Sequence, residues 1–244
     1  MVLIFAHVDC VANGHTVHGS FLPDLAAKKF WENFLSERFL EDYVASIQVE
    51  TRVAGKSETY DGVILHKAGK FIVEFSDHDS GSRKFLVTRD KSWSNIDDRL
   101  NSQGVFIPNI KYGPNDLLLP IVCTDSPKYC GPKNVCGRMT QQFIVEIPAD
   151  RQADGMKFIR FSIDGAFHQP LQIEYLDDHK RLVRYQKLAR LKKCGSDWVP
   201  KTFELIDVCT RKKIKITMLK FDVYSNLDAN FFSEDFLKDH TFIH

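Results

Sequence analysis

Over most of its length the chain alternates apolar and polar residues at period two. The last third shows this most plainly. Leu171, Ile173 and Tyr175 alternate with Gln172 and Glu174, and Asp177-Asp178-His179-Lys180 then reads as a turn. A second run goes from Leu182 to Leu191, and Cys194-Gly195-Ser196-Asp197 makes the next turn. Trp198-Val199-Pro200 opens a third run, which carries Phe203, Leu205 and Ile206 and ends near Asp207; a fourth extends from Ile214 to about Val223. Alternation broken by Gly, Asp, Asn and Lys clusters predicts an antiparallel meander with one buried face.

Upstream, residues 1–22 show no period and are read as an extended or mobile leader. Pro23-Asp24 predicts a helix start with Asp24 as the cap. From Leu25 to about Glu41 the apolar residues recur at spacings of three, four and five, placing Phe30, Trp31, Phe34 and Phe39 on one wide face. The period then returns to two: Tyr43–Val49, a run through Val63 and Leu65, Phe71–Phe75, and Phe85 with Val87. Turn signals fall at Ala54-Gly55-Lys56-Ser57 and Lys67-Ala68-Gly69-Lys70, with a polar loop from Ser76 to Ser82 and a short strand at Ser92–Ile96. Between Asp97 and Lys133 the rhythm breaks. Pro108, Gly113-Pro114, Pro120, Pro127 and Gly131-Pro132 predict a long excursion with one short helix near Asn115–Leu119, of the kind that serves as a lid or binding loop. Strands resume at Phe143–Ile147 and Phe158–Ile163. With no linker or repeat in view, 23–244 reads as a single domain after the leader.

Charge narrows the list of partners. Lys plus Arg is 33 and Asp plus Glu 32, and this balance argues against nucleic acid or an anionic membrane surface. No stretch approaches the ~20 apolar residues that span a bilayer. Val2-Leu3-Ile4-Phe5-Ala6 is apolar but short, and no basic residue precedes it; as written it is a poor secretory signal, which leaves two readings, a cytosolic chain or the tail of a longer signal. Phenylalanine is the compositional outlier, with 19 Phe against 7 Tyr and 3 Trp. Phe supplies apolar area with no donor to satisfy, which suits a dry core or a pocket for an apolar ligand.

The six cysteines form no C-x-x-C pair, so a metal site is not indicated. A disulfide within Cys123–Cys136, the loop that also holds Cys130, is the preferred reading for an oxidising compartment. Cys194 and Cys209 stand at opposite ends of one extended run, roughly 30 Å apart, too far for a bridge. No nucleophile elbow, dinucleotide-binding, phosphate-binding or zinc-protease motif occurs. Asp77-His78-Asp79 and Asp177-Asp178-His179 read as solvated turns. Glu174 and Asp207 are carboxylates whose separation the sequence does not set, so no acid/base pair is assigned. What remains is an apolar face on at least eight strands with one amphipathic helix. Such a sheet must twist and curl to hide that face; an incompletely filled interior is a ligand cavity and a filled one is a core.

The order of these motifs resembles the outer-membrane lipoprotein-sorting protein family, the LolA-like periplasmic carriers, from about Asp24 to Leu237. Helix Leu25–Phe39 enters strand Tyr43–Val49, and Leu86–Trp93 is a strand, tight turn and aromatic strand. Val135-Cys136-Gly137-Arg138 precedes Phe143–Ile147 and Pro148, and Pro170 leads into Leu171–Tyr175 with the Asp177–Lys180 turn. The ending is the most specific part: Trp198-Val199-Pro200, Phe203-Glu204-Leu205, Ile214–Met218 and Phe221-Asp222-Val223, then Asp228, Phe232-Ser233 and Leu237. The resemblance implies a mainly β chain, an open antiparallel half-barrel with a loop and helix plug on its concave side. It also implies non-enzymatic binding and transport of lipoprotein acyl chains or another lipid through the periplasm, without cofactor. The expected lining is apolar: Phe30, Trp31, Phe34, Phe39, Ile47, Val49, Phe71, Val73, Phe75, Phe85, Phe143, Val145, Phe161 and Ile173, with no polar group singled out. The alternative on the same fold is a sensor or adaptor domain that binds a protein partner in an envelope exporter or stress-signalling complex.

Overall fold

The computed structural model describes residues 21–36, 42–53, 55–67, 70–77, 81–87, 92–94, 127–149, 152, 155–166, 168–194, 197–224, 227–233 and 235–236. The leader up to residue 20, Phe39, the 78–80 loop, Cys123 and the 115–119 segment lie outside them. The elements are helix α1 (Asp24–Ser36) and strands β1 (Asp42–Val53), β2 (Lys56–Lys67), β3 (Lys70–Asp77), β4 (Gly81–Val87), β5 (Ser92–Ser94), β6 (Lys128–Val135), β7 (Arg138–Glu146), β8 (Phe158–Asp164), β9 (Pro170–Leu176), β10 (Leu182–Cys194), β11 (Asp197–Asp207) and β12 (Lys213–Tyr224), with a 3-10 turn at Ala229–Phe232. The protein is mainly β and antiparallel with one long helix, the class expected. No helix among the described residues is long and apolar enough to cross a membrane.

The chain divides into two compact units. One holds β1–β5, β12 and the 3-10 turn; the other holds α1 and β6–β11. The strand order of the first is β5-β4-β3-β2-β1-β12, and neither end strand folds back onto the other, so the sheet is open. Its hairpins are tight. β1 and β2 close at Val53↔Lys56, where Gly55 takes φ +82, a value that costs glycine nothing. Period-two burial follows directly: Tyr43, Ala45, Ile47 and Val49 are buried while their neighbours along β1 are only half-buried. In register, Ala45 faces Ile64, Ile64 faces Val73 and Val73 faces Phe85, an apolar row across four strands. The opposite face is also covered at one end. Leu65, Ile72 and Leu86 pack against Leu227 and Phe232 from the 3-10 turn region. Asp42 anchors that segment: its carboxylate accepts from Lys67 Nζ at 3.2 Å and from the Leu227 amide at 3.4 Å, and Lys67 also donates to the Leu227 carbonyl.

The second unit has the order β11-β10-β9-β8-β7-β6 and is likewise open. The β6–β7 hairpin closes at Val135↔Arg138 with Cys136 and Gly137 at φ 53 and 80. Both central residues are left-handed, as the two-residue turn that matches strand twist requires. Asp177 organises the β9–β10 turn, its carboxylate accepting from the amides of His179 and Arg181 and from the Arg181 guanidinium.

Three expectations are corrected. The excursion does not run to Lys133, because β6 is already a strand from Lys128. Pro132 is tolerated there because β6 ends its sheet and a missing amide donor on an edge breaks no ladder. Gly131 takes φ +101 at a bulge between Tyr129 and Gly131. The Ser76–Ser82 stretch is not all loop, since Ser76 pairs with Ser82 and Asp77 with Gly81. Asp24 is not the helix cap. The Pro23 carbonyl accepts the Ala27 amide at 2.9 Å, which makes Pro23 the capping position and puts Asp24 in the first turn. An acidic group there still suits the helix dipole. Cys130, Cys136 and Cys209 are free thiols. Cys130 and Cys136 sit six residues apart along an extended segment, roughly 20 Å by strand rise, which precludes a bridge between them.

Candidate functional site

Helix α1 places Ala27, Phe30, Trp31 and Phe34 on one stripe by the i, i+3, i+4, i+7 spacing, and all four are buried. The stripe lies on the β7–β8 face of its own unit. Trp31 stands 5.2 Å from Phe143 and 5.5 Å from Phe161, ring centre to ring centre. Phe30 stacks on Phe143 at 5.8 Å, and Phe34 tilts onto Phe161 at 5.8 Å. The β8–β9 hairpin adds His168, whose ring meets Phe30 edge-on at 4.8 Å. Each such ring pair is worth about 0.5–1.5 kcal/mol beyond the area it buries.

The register carries that face across the unit. Phe143 opposes Phe161, Phe161 opposes Ile173, Ile173 opposes Gln186, and Gln186 opposes Leu205. The neighbouring row runs Val145, Ile159, Tyr175, Arg184, Asp207. The face is therefore aromatic and aliphatic on β7 to β9 and mixed on β10 and β11, where Gln186, Arg184 and Asp207 join Leu205. Gln186 donates to the Tyr175 hydroxyl at 2.9 Å. The Arg184 guanidinium lies 4.8 Å from the centre of the Tyr175 ring, a cation–π contact in a largely dry setting. Gln141 shares the face of Phe143, two residues away on β7, and is fully buried. The Tyr129 hydroxyl donates to Gln141 Oε1 and accepts from the Leu22 amide at 3.1 Å. Burial raises the Tyr129 pKa above its ordinary value, with the Leu22 hydrogen bond opposing.

The other face of this unit carries two ion-paired carboxylates, Glu174 and Glu204. Arg160 reaches Glu174 at 3.0 Å, and Gln172 donates to the same carboxylate at 2.9 Å. Lys187 and Lys213 flank Glu204 at 2.9 and 2.7 Å. Burial raises the Glu204 pKa, but the two ammonium groups outweigh it and hold the carboxyl below its ordinary value. Glu174 and Asp207 belong to opposite faces of the sheet, so they do not form an acid/base pair.

Of the residues expected to line a ligand site, Phe30, Trp31, Phe34, Phe143, Val145, Phe161 and Ile173 come together on the helix-covered face of the second unit, all buried. Ile47, Val49, Phe71, Val73, Phe75 and Phe85 share one buried face of the first unit. Phe39 lies outside the described residues. The sequence reading singled out no polar group on this surface. Gln141, Gln186 and Arg184 are there, and strand parity was the available signal: Gln141 is in phase with Phe143 and Val145, and Gln186 with Leu188.

A family model described as an uncharacterized protein matches residues 125–239. No curated protein matches the sequence. Among solved structures, the chain is similar to a LolA superfamily protein from Nitrosomonas europaea, with a TM-score of 0.69 and 14% identity, covering 86% of this chain and 99% of that one. It is also similar to a domain assigned to outer-membrane lipoprotein sorting from Vibrio parahaemolyticus, with a TM-score of 0.65 and 16% identity, covering 86% of this chain and 97% of that one. The chain thus shares an open antiparallel fold with these two proteins.

Proposed function

We propose that this chain, built on the lipoprotein-sorting fold, is a non-enzymatic carrier that binds acyl chains of a lipoprotein or another lipid in the periplasm. The observation that carries the reading is the aromatic stripe of α1 laid on Phe143 and Phe161. One removable element covers a continuous apolar face, which is the arrangement a reversible acyl site needs. Transfer of a chain onto such a face is worth about 0.8 kcal/mol per methylene. The helix then acts as plug and lid, and the lining residues are those gathered beneath it. Native mass spectrometry of the purified protein, with extraction of bound lipid and uptake of a fluorescent fatty acid, tests this. Co-purifying lipid or saturable uptake is expected. A protein that carries no lipid and takes up no probe removes the carrier reading.

A second reading rests on a different observation. Phe21 and Leu25 are 68% and 81% exposed at the start of α1, and Phe21 stacks edge-on against Tyr129 of the edge strand β6 at 4.9 Å. An exposed apolar pair, one of it against the strand that ends the sheet among the described residues, suits a protein partner, as in an adaptor of an envelope complex. A Phe21→Ser, Leu25→Ser double variant that still binds lipid but loses its envelope partner in pull-downs would favour that role.

A further inference from the structure

Beside Phe143 on the helix-covered face, two buried donors have no hydrogen-bond partner among the described residues, the Trp31 indole Nε1–H and the Gln141 amide Nε2. Trp31 is 5% exposed and Gln141 is 0% exposed. Nearly all buried polar groups in folded proteins are paired, so a pair of unmatched ones on one surface calls for a reason. The orientation of the Gln141 amide follows from its neighbours. Tyr129 accepts from Leu22, and its own proton goes to Gln141 Oε1. Turning the amide round would strand the Tyr129 proton, so the NH₂ end is the one left over. Both donors surround one ring. Trp31 lies 5.2 Å from Phe143, Tyr129, the hydrogen-bond partner of Gln141, also lies 5.2 Å from it, and Gln141 is two residues from it on the same face of β7.

Both unmatched groups are donors, so the group they lack is an acceptor. Neither is a cation, so the acceptor need not carry charge. The aromatic surroundings favour an acceptor attached to a hydrocarbon chain. Resting on the carrier reading above, we propose that Trp31 Nε1 and Gln141 Nε2 recognise the carbonyl oxygen of an acyl ester or amide, fixing the head of the chain while Phe143 and Phe161 hold its methylenes. A carbonyl has two lone pairs and can accept from both donors at once. Alkyl chains lacking a carbonyl would then bind, but more weakly, because the donors stay unmatched.

Three probes of one chain length separate the possibilities: 1-monooleoylglycerol with an ester carbonyl, N-oleoylethanolamine with an amide carbonyl, and 1-O-oleylglycerol with an ether and no carbonyl. Each is titrated against a fluorescent acyl probe on the whole protein. The carbonyl-bearing probes should bind about tenfold or more tightly than the ether, a difference of about 1.4 kcal/mol. Their ratio reports whether ester or amide is preferred. Trp31→Phe keeps an aromatic ring and removes the donor, and Gln141→Leu keeps the volume and removes the amide donor together with the Tyr129 acceptor. Each should bring the ratio of carbonyl-probe to ether affinity down towards one, whatever it does to ether binding itself. Thermal melts confirm that each variant is folded, and the wild-type probe ratio needs no variant. Equal binding of ester, amide and ether by the wild type overturns the donor assignment and leaves the carrier reading standing. So does a variant that weakens all three probes alike. Failure of every probe to bind overturns both.

Discussion

Gly62→Ala is the most decisive test of packing on the apolar face of the first unit. A Cβ built there would stand 2.9 Å from the Glu74 carbonyl oxygen, 2.9 Å from Phe75 Cδ1 and 3.0 Å from Ile47 Cγ1. Two effects oppose each other. Alanine restricts the unfolded chain and stabilises a compatible site by about 0.4–1 kcal/mol. Overpacking a well-filled core costs about 1–3 kcal/mol. The clash decides the sign, because one of the three contacts is backbone in the neighbouring strand, where Gly62 pairs with Phe75, and cannot rotate away. The flanking side chains are pinned as well, with Ile47 2% and Phe75 4% exposed. The expected net loss is about 1–2 kcal/mol, which lowers Tm by roughly 2–8 °C for a chain of this size, read by urea and thermal melts. Gly137→Ala is the control. It has nothing within 4 Å but φ +80, so only the left-handed penalty of about 1–2 kcal/mol applies. Gly62→Val should then be far worse than Gly62→Ala, whereas Gly137→Ser, unbranched and facing open space, should add little to Gly137→Ala. If Gly62→Ala is neutral or stabilising, the face yields readily and the reasoning from close packing fails.

Two further outcomes follow from the polar contacts. The Glu204 pKa is lowered in the folded protein, so its contribution is present above the ordinary value of 4.5 and is lost as pH falls through the lowered folded value. Urea melts of Glu204→Gln should therefore differ from wild type by about 0.5–1 kcal/mol near neutral pH, discounted for the partly exposed lysines, and converge with it in acid; a difference that persists at pH 2 refutes the pairing. Lys187 works in the opposite sense, its pKa raised by Glu204, so its share persists to 10.5 and fades above the raised value. Asp42→Ala removes the acceptor for Lys67 and the Leu227 amide and should loosen the C-terminal cover of Leu65, Ile72 and Leu86 by about 1–2 kcal/mol. Hydrogen exchange at Leu227 and Phe231 should rise roughly tenfold or more, and unchanged exchange there shows that the apolar contacts alone hold the segment.

The strands were legible because each buries one face. Period-two runs such as Tyr43–Val49 and Phe143–Ile147 admit only one pairing parity, since a one-residue slip would turn every apolar side chain outward. Helix α1 was legible for the same reason at its own period. What escaped the sequence reading depended on long-range partners. Pro132 looked like a breaker because nothing local says that β6 is an edge. Ser76 and Ser82 looked like loop because their pairing is backbone to backbone and leaves no side-chain signature. Gln141 was passed over because a polar residue in phase with Phe143 is a weak sign until its neighbours are known. Its fully buried setting depends on Tyr129, twelve residues upstream, and on the helix more than a hundred residues away in sequence.

The plug itself sets the affinity on the proposed function. Of the three aromatic rings in the stripe, Trp31 stays at the carbonyl, and lifting Phe30 and Phe34 off the sheet exposes two side chains at about 1.5–3 kcal/mol each, roughly 3–6 kcal/mol together. A chain of about sixteen methylenes laid in their place regains about 13 kcal/mol. The difference, about 7–10 kcal/mol, corresponds to dissociation constants between roughly ten micromolar and some tens of nanomolar. That is tight enough to load and weak enough to unload onto a competing acceptor. A bare hollow with no helix over it would bind the same chain too firmly for release. The aromatic stripe is thus the natural control point of a carrier. Exchanging Phe34 for a smaller apolar residue, at 0% exposure the most deeply buried of the three, should therefore destabilise the empty protein while tightening its hold on an acyl chain.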